Sequence, residues 1–341
     1  MKTEQIVFTK VNQAELIEAD YHAPQKDEVT VRLAYSAISS GTERANITGL
    51  RYGPVMDENS KAVFPRYAGY SAAGIITDIG GSVDDLKKGD RVIVYWGSHK
   101  KDITIGRDHV IKIPDAVPLQ QAAMAFIATF PLAAIRKTKL EIGESAMVMG
   151  LGILGQFAVQ ELRAAGAMPI IAVDPVAERR ELALKMGADI ALDPTRTEFC
   201  NEVKECTGGG VNIAIEVTGL GQGLIQALDC MKKFGRIALL GCTRSSDFHI
   251  DYYRKVHMPG ITIVGAHTNA RMGASYPGCW THEDDIKAIL RLLEGGRLDF
   301  EGMICEVCRP EDAPDVYSRL IHDRNFPVGV LFDWTGAKNI I

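Results

Sequence analysis

Three glycines in Ala146–Gly155, AMVMGLGILG, stand at the spacing of a phosphate-binding turn: Gly150, Gly152 and Gly155. Between a strand and a helix, the first such glycine permits the tight turn. The second lets backbone approach a pyrophosphate, and the third lets the helix lie close on the sheet. The helix would open at Ile153 and Leu154, where unpaired N–H groups and the positive dipole end suit phosphate oxygens. The next apolar run, PIIAVD, ends at Asp174, 19 residues beyond Gly155 (155 to 174). An acid at that distance bonds the adenosine ribose hydroxyls and repels a 2′-phosphate, so the pattern favours NAD over NADP. Pro175 and Val176 follow without an arginine; Arg179 and Arg180 come next, and Arg179 is taken as a further cofactor contact. The alternative is a glycine turn of a related fold that holds another ligand. In SAM-dependent methyltransferases that turn opens the fold near the N-terminus, whereas here a whole domain's length precedes it.

Such a turn needs a strand before it and a helix after it. From about Leu119 the text supplies them repeatedly. Gln120–Lys137 is apolar enough for a buried helix. The strand-like runs are Ala146–Met149, Pro169–Val173, Asp189–Leu192, Ile213–Val217, Arg236–Leu240 and Ile261–Val264. Helix-like stretches lie between most of them, among them Ile153–Ala165, Ala177–Met186 and Gly223–Lys232. This alternation predicts βαβ units and a doubly wound parallel sheet, a Rossmann domain. Residues 1–118 instead read as β-rich. Glu28–Leu33 alternates as a half-buried strand, and Gly74–Ile79 and Asp90–Tyr95 repeat that character between turn residues. The stretch 298–341 returns to strand-like text and is expected to rejoin the first domain. The expected architecture is α/β, with a β-rich domain of residues 1–118 and 298–341 and a dinucleotide domain of residues 119–297.

The 341 residues carry a net charge of −5, which argues against nucleic acid or an anionic membrane as partner, because both need a basic face. The opening MKTEQIVFTK lacks an apolar core, so no signal peptide is expected. No apolar run approaches the ~20 residues that span a bilayer; a cytoplasmic location is expected. The seven cysteines all lie after residue 199 and are expected as reduced thiols. Cys200 and Cys206 read as packing residues of a helix. Cys305 and Cys308 read as two buried thiols of a strand, not a metal clip, because residues three apart on a strand face opposite sides.

With both halves read, the chain resembles the medium-chain dehydrogenase/reductase superfamily of zinc-type alcohol and polyol dehydrogenases, over nearly its full length. Pro24–Leu33 is similar to the opening strand of the family's GroES-like catalytic domain. Ala68–Val94, AGYSAAGIITDIGGSVDDLKKGDRVIV, is similar to its G-H-E-x-x-G-x-V…G-D-R-V stretch. Glu141–Gly155 with Glu178–Asp189 is similar to its cofactor-domain signature. The resemblance implies a catalytic domain built from both chain ends, a nucleotide domain inserted between them, and a cleft where nicotinamide meets substrate. It also implies that Thr218 and the Gly219–Gly221 segment pass close to the cofactor.

The departures concern the metal. In the family a cysteine ligand sits in a G-I-C-G-S-D-like segment; here that segment reads AISSGTE, with Ser39 or Ser40 at the ligand position. The family's His and Glu are Tyr70 and Ser71, and a further ligand position falls near Phe126. A catalytic zinc takes about three ligands of Cys, His or carboxylate type, so no metal is expected. The structural-zinc cysteines are also missing from YWGSHKKDITIGRDHV. The loop ISSGTE resembles a branch with bacteriochlorophyllide-type and sugar or cyclitol-type dehydrogenases.

Without zinc, the substrate oxygen needs hydrogen-bond donors or a general acid. Thr42 stands where zinc members use a hydroxyl in a proton relay. Tyr70 replaces the zinc histidine and can donate its phenol, or plug the metal cavity with its ring. Ser40 and Glu43 follow, Glu43 as a residue that orients the loop or pairs with an arginine. His99 and Lys100 read as solvated loop residues. His267 lies in a segment that, in the family, approaches the nicotinamide and the subunit interface. The leading reading is a zinc-independent NAD(H) dehydrogenase of a sugar, polyol or cyclitol. A quinone or enone reductase of the same fold, and a non-catalytic nucleotide-binding protein, are the alternatives. The apolar Ile261–Val264 strand, as a sheet edge, points to a homodimer or homotetramer.

Overall fold

The computed structural model describes residues 1–50, 62–243, 246 and 248–336. It divides into two compact units, Met1–Ile127 with Leu290–Ile341, and Ala128–Ile289.

The first unit opens with β1 (Lys2–Lys10) and β2 (Gln13–Asp20), followed by β3 (Glu28–Ala37), helix α1 (Ser40–Ile47) and β4 (Arg66–Tyr67). Then come β5 (Ser71–Ile79), β6 (Arg91–Tyr95), β7 (Asp102–Gly106) and β8 (Val110–Lys112), before helix α2 (Leu119–Thr138) carries the chain into the second unit. Within that second unit β9 (Ala146–Met149), α3 (Ile153–Ala164), β10 (Ile170–Val173), α4 (Ala177–Lys185) and β11 (Ile190–Leu192) alternate. They are followed by α5 (Phe199–Thr207), β12 (Val211–Glu216), α6 (Gly221–Asp229), β13 (Met231–Leu239) and β14 (Thr262–Gly265). Helix α7 (His282–Glu294) leads back to the first unit, where β15 (Ile304–Cys308), α8 (Ala313–His322) and β16 (Gly329–Asp333) complete it.

The second unit is a parallel sheet in the order β11-β10-β9-β12-β13-β14. Two of its inner strands, β9 and β10, explain the short, unbroken apolar runs. All four residues of β9 and all four of β10 are buried, as parallel strands covered on both faces require. The first unit holds a three-stranded sheet, β2-β1-β4, and a larger one running β15-β16-β3-β5-β6-β8, with β7 also paired to β3. Its pairings are antiparallel except β15 with β16. Its core gathers Phe8, Val31, Leu33, Tyr317, Phe332 and Trp334, so the C-terminal strand fills the same core as the N-terminal ones.

Several local expectations change. AISSGTE is not a loop throughout: Ser40 opens α1, which buries Glu43 and Ile47 one turn apart on one face, with Ala45 buried as well. The stretch 298–341 contains α8, whose buried Ala313, Val316, Tyr317 and Leu320 recur at helical spacing. Cys305 is exposed and Cys308 buried, since they face opposite sides of β15; Cys206 is exposed as well. Among the described residues no helix is long and apolar enough to cross a membrane.

Candidate active site

In the second unit the glycine turn has the geometry its spacing predicts. Gly150 sits at φ +100°, and a Cβ there would lie 2.9 Å from Thr218 Cγ2. A Cβ on Gly155 would lie 2.0 Å from the Gly150 carbonyl oxygen, so α3 approaches the turn more closely than any side chain permits. At Gly152, the residue that caps α3, a Cβ would meet nothing within 4 Å. That open side lies against the first turn of α3, at Ile153 and Leu154, where helix geometry leaves N–H groups for an anion. The residues present therefore fit a dinucleotide pyrophosphate.

Asp174 is bonded within the chain. It is 4% exposed, and its two carboxyl oxygens accept from Leu151 N–H and Val176 N–H, both at 2.8 Å. Leu151 belongs to the glycine turn, so Asp174 ties the end of β10 to that turn. Arg179 Nη1 stands 3.8 Å from the same carboxyl group. Two further residues belong here that spacing alone does not reveal. Gln156, buried in α3, donates to the carbonyls of Leu151 (3.2 Å) and Arg179 (2.8 Å). Glu216, at the end of β12, accepts from the N–H of Thr218 at 2.8 Å, from the N–H of Gly219 at 3.2 Å and from the Thr218 hydroxyl. Burial raises the Glu216 pKa above the ordinary carboxyl value, partly offset by those bonds. The acid at the end of one strand thus shapes the Thr218 turn that closes on Gly150. His267 is exposed, its Nδ1 accepting from Asn269 N–H.

In the first unit the positions that carry zinc ligands in the resemblance come together, filled by one another. The Tyr70 hydroxyl donates to Ser39 Oγ. The Tyr70 ring meets Phe126 edge-on at 5.9 Å and Trp96 at 5.5 Å, and Trp96 meets Phe126 at 5.0 Å. Ser71 turns away and donates to the Ala123 carbonyl at 2.6 Å. Ser40 and Thr42 are half-buried on α1.

Glu43 does orient the AISSGTE segment, through the Ser39 N–H, and its side-chain partners among the described residues are not arginines. It is 1% exposed and accepts from Ser39 N–H (2.9 Å) and the Tyr317 hydroxyl (2.6 Å), with His99 Nε2 at 3.2 Å. His99 likewise is fully buried, not solvated: its Nδ1 lies 2.7 Å from Ser36 Oγ, which also accepts from Trp334 Nε1 at 2.9 Å. The reason is positional. His99 follows β6 into a backbone bridge, with its N–H bonded to Ala68 and its carbonyl to Ile6, and this draws the ring under the sheet. Burial, then Glu43, pushes the Tyr317 phenol well above its ordinary pKa, so it remains a donor. Lys100 points away, donating to the Asp20 carbonyl at 2.7 Å; burial lowers its pKa. Ser39 is thus held from two sides, through its N–H by Glu43 and through its hydroxyl by Tyr70.

Comparison with known proteins adds the following. Residues 25–118 match the alcohol dehydrogenase GroES-like domain, and residues 154–288 match the zinc-binding dehydrogenase family. The chain is 26% identical to the D-guloside 3-dehydrogenase of Escherichia coli over 96% of its own length and 100% of that protein's. It is 32% identical to the (R,R)-butanediol dehydrogenase of Bacillus subtilis, over 70% of this chain and 72% of that one. Among solved structures, a putative zinc-binding dehydrogenase from Sinorhizobium meliloti bound to NADP superposes with a TM-score of 0.80 at 19% identity, covering 98% of this chain and 99% of that one.

Proposed function

Because the chain belongs to the zinc-type medium-chain alcohol/polyol dehydrogenase superfamily, we propose that it is a zinc-independent, NAD(H)-dependent dehydrogenase of a sugar, polyol or cyclitol. It is an alcohol- or polyol-type oxidoreductase that uses a nicotinamide cofactor; metal use, cofactor choice and substrate are the proposal.

The observation that carries it is the contact of Tyr70 with Ser39 and Phe126. Zinc takes thiolate, imidazole or carboxylate donors. Ser39, Ser40, Tyr70, Ser71 and Phe126 supply none, and an aromatic ring stands where an ion would need room. These residues do not fit a zinc centre, so no step is routed through one.

When bound, the nicotinamide supplies the carbon that gives or takes the hydride. The chain's own residues do the rest. Gly150, Gly152, Ile153 and Leu154 receive the pyrophosphate. Asp174 presents a carboxyl where a 2′-phosphate would stand, which favours NAD. The paired hydroxyls of Tyr70 and Ser39 replace the missing electrophile. In the reductive direction Tyr70 turns its O–H from Ser39 to the carbonyl oxygen and gives it a proton as charge develops there. In the oxidative direction the proton returns by the same path. Thr42 is the second hydroxyl available for this relay, and His267 a candidate contact at the nicotinamide end. Ser40 opens α1 next to Ser39 and adds a further hydroxyl there, while Glu43 and His99, both enclosed, hold Ser39 in place. Trp96, 39% exposed beside Tyr70, offers an aromatic face of the kind that takes the C–H side of a polyol.

We also infer a cytoplasmic homodimer or homotetramer. β14 is the sheet edge, with Thr262 and Gly265 exposed, and an edge of that kind invites pairing across a two-fold axis; sedimentation as a monomer at micromolar concentration contradicts this. The function is tested with a panel of polyols, sugars, cyclitols and enones, using NAD and NADP. Turnover of enones alone supports a reductase of the same fold, and bound cofactor without turnover supports a non-catalytic protein.

A further inference from the structure

Away from the nucleotide turn, two thiols of the second unit meet. Cys200 lies in the first turn of α5, and Cys230 caps the C-terminal end of α6. The Cys230 thiol donates to Cys200 Sγ at 3.4 Å, and Cys200 Sγ in turn lies 3.9 Å from the Gln226 carbonyl. Their neighbours fix this approach: Phe199, Val203, Ala227, Leu228 and Met231 are core residues of this unit. We propose that Cys200 and Cys230 form an oxidisable dithiol, a modification site that reacts with hydroperoxides and closes to an intramolecular disulfide.

The two sulfurs have different access and different roles. Cys200 is partly exposed and Cys230 wholly buried, so a dissolved oxidant reaches Cys200 first. Cys200 accepts the hydrogen bond and sits at a helix N-terminus, both of which favour its thiolate. The bond from Cys230, with Lys204 and Lys255 nearby, brings the Cys200 thiol down to about 7, against the raising effects of burial and Asp229. In the first step the Cys200 thiolate attacks a peroxide oxygen. The O–O bond breaks and hydroxide, taking a proton, leaves as water (or an alcohol from an organic hydroperoxide), with Cys200 now a sulfenic acid. In the second step the Cys230 sulfur attacks the Cys200 sulfur. The S–O bond breaks, and the departing hydroxide takes the Cys230 proton to form water. Two thiols and one peroxide yield one disulfide and two hydroxyl products, with two electrons passing to the peroxide. The sulfurs need to close by about 1.4 Å, from 3.4 Å to bond length, within reach of a side-chain rotation at Cys200. Among the described residues, Cys230 is the thiol that meets Cys200 Sγ, so the sulfenic acid has a resolving group beside it. This inference is independent of substrate and metal.

The full chain with NAD is treated with hydrogen peroxide, blocked with N-ethylmaleimide and mapped by mass spectrometry without reduction. The expected result is a peptide pair joined through Cys200 and Cys230, lighter by two hydrogens and separated again by dithiothreitol. In Cys230→Ser, Cys200 should accumulate as a sulfenic acid trapped by dimedone, and in Cys200→Ser, Cys230 should stay unmodified. Oxidation confined to Cys206, Cys242 or Cys305, or Cys200 driven to sulfinic acid in the wild type without a cross-link, overturns the proposal. The wild-type map decides even if either variant fails to fold.

Discussion

Substituting Glu43 by alanine removes the acceptor of a buried cluster in one step. The Ser39 N–H and the Tyr317 O–H both lose their partner, and His99 loses its contact at Nε2. With Glu43 1% exposed, water has no ready path to replace it. A buried donor left unpaired costs about 1–3 kcal/mol, so two give a loss of about 2–6 kcal/mol. Glu43→Gln keeps one acceptor oxygen and should lose about half as much. Tyr317→Phe keeps the ring packed edge-on against Phe8 at 4.8 Å and removes only the hydroxyl, for about 1 kcal/mol. Urea unfolding followed by tryptophan fluorescence reads the right region, because Trp334 donates to Ser36 in the same cluster. Combining Glu43→Gln with Tyr317→Phe should show a coupling of about 0.5–3 kcal/mol. If Glu43→Ala unfolds within about 0.5 kcal/mol of wild type, as an ordinary surface change does, the cluster does not hold Ser39 and the reasoning fails.

Gly155→Ala places a methyl 2.0 Å from the Gly150 carbonyl oxygen, so α3 must shift, and NADH affinity measured by fluorescence should fall at least tenfold while the fold persists; an unchanged Kd contradicts the assigned turn. Asp174→Asn removes the charge and weakens the tie to Leu151, so NAD affinity should drop by about 1–3 kcal/mol and the preference for NAD over NADP in kcat/KM should narrow; a preserved preference sinks the role given to this acid. Tyr70→Phe keeps the aromatic packing and should lower kcat about 10²–10⁴-fold with little change in KM, whereas a change of kcat within about threefold would leave Tyr70 a filler of the cavity. Burial, then Arg271, lowers His282 to about 4, below its unfolded value near 6.5. The unfolded chain therefore binds this proton first. Stability from this group is complete above about pH 6.5 and is lost as pH falls towards about 4; across that range the thermal midpoint of the wild type should fall relative to that of His282→Gln as the pH drops.

The legible parts of the protein were those set by local pattern. β9 and β10 show as unbroken apolar runs because both their faces are covered, and the glycine spacing reports a backbone geometry that only glycine tolerates. Residues brought together from afar were not legible. Glu43 lies 56 positions from His99 and 274 from Tyr317; read alone, Glu43 is an acid of its own segment and His99 a solvated loop residue, and no spacing joins either to Tyr317. Helix α1 is hidden by its Ser-Ser-Gly-Thr opening, which reads as a turn until burial of Ala45 and Ile47 outweighs propensity. α8 carries a signal in its apolar positions 313, 316, 317 and 320, masked by the strand-like text that follows. Likewise Cys305 is exposed because it takes the face of β15 opposite to Cys308, and which face meets solvent is a fact of packing that spacing does not carry.

Zinc-independent polyol oxidation is tested most directly by one measurement: kcat of the purified protein with NAD and its best polyol, before and after exhaustive chelation, with metal content determined on the same sample. Full activity at a zinc content far below one per chain is the predicted result. Stoichiometric zinc in the native protein, with activity lost on chelation and restored by zinc, would contradict it.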